Sequence, residues 1–216
     1  QDGDQDGDQD GDQDGDQEGT GDECEAQFTG GNCEEWRFTQ VAVGSNFTCG
    51  LKADGSALCW GGGLNGDSDI TAPAGRFTQL AAGLYHVCGL QEDGSALCWG
   101  LGYHGQTDPP PGRFTQLVAG VSHTCGLKED GSVLCWGHYN GATFVVPSDR
   151  FTQLTAGYQF ACGLKEDGRV LCWGSGYGVG RTTPPSEAFT QLAAGFYQTC
   201  GIREDGSVLC WTSLWL

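Results

Sequence analysis

No stretch of this 216-residue chain comes near the roughly 18 consecutive apolar residues that a membrane-spanning helix requires, so the sequence excludes a span of that kind. Methionine is absent altogether. A chain that begins at Gln1 without an initiator is expected to be a processed or truncated product, so the lack of a signal peptide or lipidation motif carries no information about destination. Basic residues are scarce: ten Lys and Arg stand scattered against 28 Asp and Glu and form no stripe. Binding of nucleic acid relies on Lys and Arg to displace counterions from phosphates, so a nucleic-acid partner is excluded, and an anionic membrane surface is disfavoured for the same reason. The acidity is mostly local, because eleven of the acids and no base lie between Gln1 and Glu23. Histidine is limited to four residues.

What is abundant is glycine, at 38 residues, together with 12 cysteines in regular spacing. Few charges and many glycines favour a turn-rich β architecture. Aligning the chain with itself brings Phe38-Thr-Gln, Phe77-Thr-Gln, Phe114-Thr-Gln, Phe151-Thr-Gln and Phe189-Thr-Gln into register at intervals of 39, 37, 37 and 38 residues. Each unit continues through an Ala-Gly or Val-Gly corner, a Cys-Gly-(Leu/Ile) segment, an Asp-Gly turn and an (Ala/Val)-Leu-Cys-Trp segment, then a variable loop. The pattern fits three short strands per unit, with Asp54-Gly55 and its four equivalents supplying the positive φ that a tight hairpin needs.

The two cysteines of each unit stand ten positions apart: Cys49 and Cys59, Cys88 and Cys98, Cys125 and Cys135, Cys162 and Cys172, Cys200 and Cys210. A three-residue bulged turn sets the two directly opposite one another, where their Cβ atoms are close enough to bridge. Free core thiols and a metal site are the alternatives; the second is disfavoured because no His or further Cys pair lies at ligand spacing. Closing so short a loop restricts the unfolded chain by about 2 to 3 kcal/mol, and paired cysteines imply an oxidising, extracellular location. Cys24 and Cys33 either make a sixth hairpin bridge or clip the N-terminal segment onto the last unit.

The run Ala119-Gly-Val-Ser-His-Thr-Cys-Gly-Leu-Lys-Glu-Asp-Gly-Ser-Val-Leu-Cys-Trp-Gly137 resembles the repeat of the regulator of chromosome condensation family, and Tyr103-His-Gly-Gln-Thr-Asp-Pro-Pro110 resembles the loop that links its blades. The short units are most similar to secreted members such as the propeller that inhibits β-lactamases. The resemblance implies an all-β propeller of about five short three-stranded blades. The expected organisation is an acidic tail over 1–23, a Cys-flanked hairpin or clip over 24–36 and propeller repeats over 37–216. Family rings usually hold seven blades, which leaves a five-bladed ring, a truncated larger ring and an arc completed by another chain as alternatives.

In the tail, Asp2, Asp4, Asp6, Asp8, Asp10, Asp12, Asp14 and Asp16 occupy every second position. In an extended strand these carboxylates face one way at about 6.7 Å spacing, and neighbours repel by about 0.6 kcal/mol even in water. The Asp-x-Asp-x-Asp-Gly runs are similar to the opening of calcium loops, although the closing Glu of an EF-hand is missing at its place. A solvated spacer and a Ca²⁺-ordered segment both remain open.

No catalytic residue is singled out. His86 and His123 fill the slot that holds Phe47, Phe160 and Gln198 in other units, which reads as packing, and the repeated Trp60, Trp99, Trp136, Trp173 and Trp211 read as core between blades. The candidate partner-binding residues are aromatics at varied positions, Tyr85, Tyr158, Phe196 and Tyr197 after the corners and Tyr103, Tyr139 and Tyr177 in the loops; covering blade edges is their other reading. Asn46-Phe-Thr is a glycosylation sequon. The expectation is a secreted binding or structural module, not an enzyme, that meets a protein or glycan at its rim and self-assembles through a calcium-responsive tail. A polysaccharide-acting enzyme on the same scaffold, or a protein inhibitor, is the alternative.

Overall fold

The computed structural model describes residues 37–61, 70–137, 144–174 and 183–212, all within the compact unit Arg37–Leu216. These residues form fifteen strands and no helix. Blade 1 holds β1 (Phe38–Val43), β2 (Phe47–Lys52) and β3 (Ala57–Gly61). Blade 2 holds β4 (Phe77–Ala82), β5 (His86–Gln91) and β6 (Ala96–Gly100), and blade 3 holds β7 (Gln116–Ala119), β8 (Thr124–Leu127) and β9 (Val133–Trp136). Blade 4 holds β10 (Gln153–Ala156), β11 (Phe160–Leu164) and β12 (Val170–Gly174), and blade 5 holds β13 (Gln191–Ala194), β14 (Gln198–Ile202) and β15 (Val208–Thr212). Each blade is a three-stranded antiparallel sheet in simple chain order, as the repeat predicts.

The Asp-Gly hairpins set the register. In blade 1 the Gly55 N–H donates to the Lys52 carbonyl at 3.0 Å and the Lys52 N–H to the Ser56 carbonyl at 2.9 Å, with Gly55 at φ 83°. That is a turn of three residues with a glycine bulge, the geometry that suits the twist of the flanking strands. The Asp54 carboxylate accepts from the Ser56 hydroxyl and N–H, and these bonds hold it below the usual carboxylate range. The turn places Cys49 opposite Cys59, and the same holds in every blade. All five pairs are disulfides, with Cα atoms 4.0 to 4.1 Å apart.

Blades pack face on face. Each presents to its successor an outgoing face built around its disulfide and receives on its incoming face the Phe, Leu and Trp of the repeat. Between blades 3 and 4, for instance, Cys125, Leu127 and Val133 meet Phe151, Leu154 and Trp173. The Phe ring of the first strand lies against the second strand at the Cys-Gly glycine: a Cβ on Gly126 would sit 2.4 Å from the Phe114 ring. Only a residue without a side chain permits that approach, and the same Phe packs beside Trp136 with centroids 5.6 Å apart.

The Gln of Phe-Thr-Gln spans each join. Gln116 accepts from the Leu154 N–H at 2.8 Å and donates to the Leu154 carbonyl at 3.1 Å, satisfying both groups on the edge of β10 that faces away from β11. Gln40 does the same for Leu80, Gln79 for Leu117 and Gln153 for Leu192.

Candidate functional site: the axial mouth

Where the first strand of each blade turns into the second, an Ala-Gly or Val-Gly corner closes through a bond from the glycine N–H to a carbonyl three residues on, as from Gly120 to His123 at 2.9 Å. The corners converge on a cavity of about 260 Å³ lined by all five blades, among them Ala82, Ala119, Ala156, Ala194, Val121 and Phe196. Among the described residues no titratable side chain lines it. Successive corners are tied by backbone bonds: Ser45 N–H to Leu84 at 3.0 Å, Leu84 N–H to Gly120 at 3.3 Å, Val121 N–H to Tyr158 at 3.2 Å and Tyr158 N–H to Phe196 at 2.9 Å. Among the described residues the mouth is thus a ring of small and apolar residues whose corners are tied by backbone bonds. Such a lining makes its contacts through shape and apolar area.

Three of the expected partner-binding aromatics gather beside this mouth. The Tyr158 ring lies 4.6 Å from Phe196 and 5.7 Å from Tyr197, and Phe196 meets Tyr197 edge-on at 4.5 Å. Phe196 and Tyr197 are 43% and 51% exposed, so the cluster is a surface feature with rings already held by one another. Tyr85 is half-buried at its own corner, and Tyr103 is exposed in the loop after β6. Tyr139, Tyr177, Cys24, Cys33 and the tail aspartates fall outside the described residues. Asn46 is exposed at the blade 1 corner.

The two corner histidines are core. His86 and His123 are buried, and desolvation of the charged form pushes them down to about 4 and about 3. His86 Nε2 lies 2.9 Å from the Thr124 hydroxyl of the next blade, and the His123 ring packs 4.3 Å from Phe144. Packing is therefore what this slot does in blades 1 to 4, as its exchange with Phe47 and Phe160 implies, whereas Gln198 of blade 5 is exposed.

Two functional features escaped the sequence reading. The Gln of Phe-Thr-Gln looked like an ordinary strand residue, although its recurrence in all five units was the available signal. Gln106, inside the Gly-Gln loop, is fully buried; its carbonyl takes the Trp136 indole N–H at 3.0 Å and its side chain accepts from the His104 N–H at 2.9 Å. A lone glutamine between Gly105 and Thr107 in a loop gives no periodic cue to such burial.

Fold and bridges together define a disulfide-stapled β-propeller. The chain belongs to the regulator of chromosome condensation (RCC1) repeat family, whose profile matches residues 38–67, 77–106, 114–141 and 151–178. The fifth sheet, outside that match, repeats the blade geometry. No curated protein matches the chain. Among solved structures it is similar to the CRINKLY WD40 ectodomain of the Arabidopsis thaliana receptor kinase ACR4, at 30% identity and a TM-score of 0.70 over 82% of this chain and 65% of that one. The ectodomain of the Physcomitrella patens receptor kinase CR4 matches at 29% identity and a TM-score of 0.68, over 82% of this chain and 51% of that one. Yeast RCC1 (Prp20), crystallised with Kap60, shares the fold at 19% identity and a TM-score of 0.66, with coverage of 82% and 56%. The chain thus spans between half and two thirds of each of these structures.

Proposed function

We propose that this protein is an extracellular binding module whose stapled blades hold the axial mouth rigid against a protein partner. The observation that carries the reading is the cluster of exposed Phe196 and Tyr197 with half-buried Tyr158, beside a cavity that has no ionisable lining among the described residues. Clustered aromatics bury large areas on binding at low entropic cost. Disulfides in every blade and the likeness to receptor ectodomains support the extracellular location. The test is retention from a secreted-protein mixture and on a glycan array, comparing the wild type with Phe196→Ser of equal thermal stability. Ligands kept by the wild type and lost by the variant are expected. Equal retention by both discards the axial mouth, and retention on glycans alone replaces the protein partner with a sugar.

The tail over 1–23 acts in this reading as a Ca²⁺-responsive linker through which copies assemble, supported by its alternating carboxylates. Titration calorimetry should detect Ca²⁺ binding that is absent when the alternating aspartates are changed to Asn, and a chelator should slow sedimentation. A chain that neither binds Ca²⁺ nor changes size on chelation has a plain acidic spacer. The exposed Asn46 is the position for an attached sugar, which a mass shift on enzymatic deglycosylation would reveal.

A further inference from the structure

Blades 2 and 3 differ from blades 1 and 4 at one buried position. The slot that closes the corner holds Phe47 and Phe160 in blades 1 and 4 but His86 and His123 in blades 2 and 3, and all four side chains are buried. In each blade the carbonyl of the slot residue accepts from the corner glycine N–H at 2.8 to 2.9 Å. The rings press on the same glycines: a Cβ on Gly83 would overlap His86 Cε1, and one on Gly120 would overlap His123 Cε1. Gly83 and Gly120 also line the axial cavity, so each imidazole lies against backbone that forms the wall of the mouth.

These rings are only half satisfied. The Thr124 hydroxyl donates to the Gln106 carbonyl at 3.4 Å, so it accepts from His86 Nε2 at 2.9 Å, which puts the ring proton on that nitrogen. His86 Nδ1 is then a bare lone pair, buried without a hydrogen-bond partner, and His123 Nε2 is buried without one as well. A second proton on either ring sets a charge with an unpaired donor inside the join. Among the described residues no Asp, Glu, Lys or Arg faces either ring, and the ionisable group that acts on His123 is His86, whose charge repels a second one. The other titratable side chains of these corners are Tyr85 and Tyr158, and a phenol carries no charge in acid. The rungs between corners divide in the same way. They measure 3.3 Å from Leu84 and 3.2 Å from Val121 in the histidine blades, against 3.0 Å from Ser45 and 2.9 Å from Tyr158 in the phenylalanine blades.

We propose that the corners of blades 2 and 3 are an acid-responsive gate on the axial mouth: in mild acid His86 and His123 take up protons by leaving their joins, which breaks the Gly83 and Gly120 closures and loosens that wall of the cavity. An open corner exposes its imidazole to water and restores the ordinary affinity for protons that burial suppresses, so acid favours the open corner. The corners of blades 1 and 4 carry Phe in the slot and stay closed. Release of a partner in acid follows, and that consequence rests on the binding role proposed above, whereas the gate itself is a property of the free chain.

The test is amide hydrogen exchange by NMR on the free, oxidised chain at about pH 7.5 and about pH 5, with each rate expressed as protection relative to an unstructured peptide at the same pH. The Gly83 and Gly120 amides are expected to lose about 30-fold in protection at the lower pH, the ratio set by an ordinary histidine in the open corner. Gly44 and Gly157, at the phenylalanine corners, keep theirs. His86→Phe is expected to restore protection at Gly83 and His123→Phe at Gly120, each with the residue that fills this slot in blades 1 and 4. Unchanged protection at Gly83 and Gly120 in acid overturns the gate. Equal loss at all four glycines means global unfolding and overturns it too, as does a loss that persists in the Phe variants. Where a variant does not fold, the contrast between histidine and phenylalanine corners in the wild type decides alone. No partner enters the measurement, so its failure leaves the binding role of the mouth standing, and failure of that role leaves the gate standing.

Discussion

Blades 3 and 5 are built from nearly the same residues, yet one is core on both faces and the other on one. Leu117 and Leu192 both lie against the blade before them, and both are buried. On the opposite face Val133 is covered by blade 4 while Val208 is open. The difference teaches that in this repeat the burial of a residue belongs to the join and not to the blade, as nearest-neighbour stabilisation of stacked repeats requires. A three-stranded sheet alone buries too little to stand; each one borrows half its core from the next.

That contrast can be broken most directly at the corner glycines. A Cβ on Gly120 would lie 2.3 Å from the Gly157 carbonyl of blade 4, whereas one on Gly195 meets only Gln198 Cγ, at an ordinary 3.7 Å. Gly120→Ala is expected to cost about 3 kcal/mol in a urea melt and Gly195→Ala less than about 0.5 kcal/mol. Similar costs at the two sites would mean that blade 5 is covered in solution.

Acid separates the joins from one another. His86 and His123 titrate at about 4 and about 3 in the fold and near 6.5 when unfolded, so the unfolded chain takes up protons first as the pH falls. Stability is therefore complete above 6.5, declines below it and goes on declining until the folded values are reached, by about 2 kcal/mol per histidine at pH 5. The hairpin aspartates add their loss only below the ordinary carboxylate value of 3.8, because their folded values lie lower. A double variant with both histidines as Phe, the residue of blades 1 and 4 in this slot, should flatten the stability profile between pH 6.5 and pH 4 as read by thermal melts.

The glutamine bridges sharpen the comparison at smaller scale. Gln116→Ala leaves the Leu154 N–H and carbonyl unpaired at an interior join and is expected to cost about 1 to 2 kcal/mol, against a negligible loss for Gln191→Ala in the isolated chain. Smallest in free energy is the order of reduction. With limiting reductant, alkylation and peptide mapping should find Cys200–Cys210 opened before the other four bridges, since each of the others has one wholly buried cysteine and this one has none. Simultaneous opening of all five would remove the distinction between flank and interior.

Much of the frame was legible before any coordinates. The Asp-Gly turns fix the strand register, the register fixes the cysteine partners, and the period fixes the number of sheets. The use of His86 and His123 as packing residues was legible too, from their exchange with Phe47 and Phe160. The mouth was legible only in part: the alternation at the corners marked Tyr158, Phe196 and Tyr197 as variable, but nothing in their spacing set them beside one another or left Tyr85 and Tyr103 elsewhere. Side chains from different blades meet across some forty residues of sequence, and no local pattern encodes such a meeting.

The sequence by itself determined the blade, because hairpin register and disulfide pairing are local, acting within about a dozen residues through turn geometry and strand alternation. Only the tertiary structure decided which identical faces are covered, which glutamine finds its leucine and where aromatic surface remains. Those outcomes depend on whether a neighbouring blade is present, a property of the assembled arc and not of the repeat that builds it.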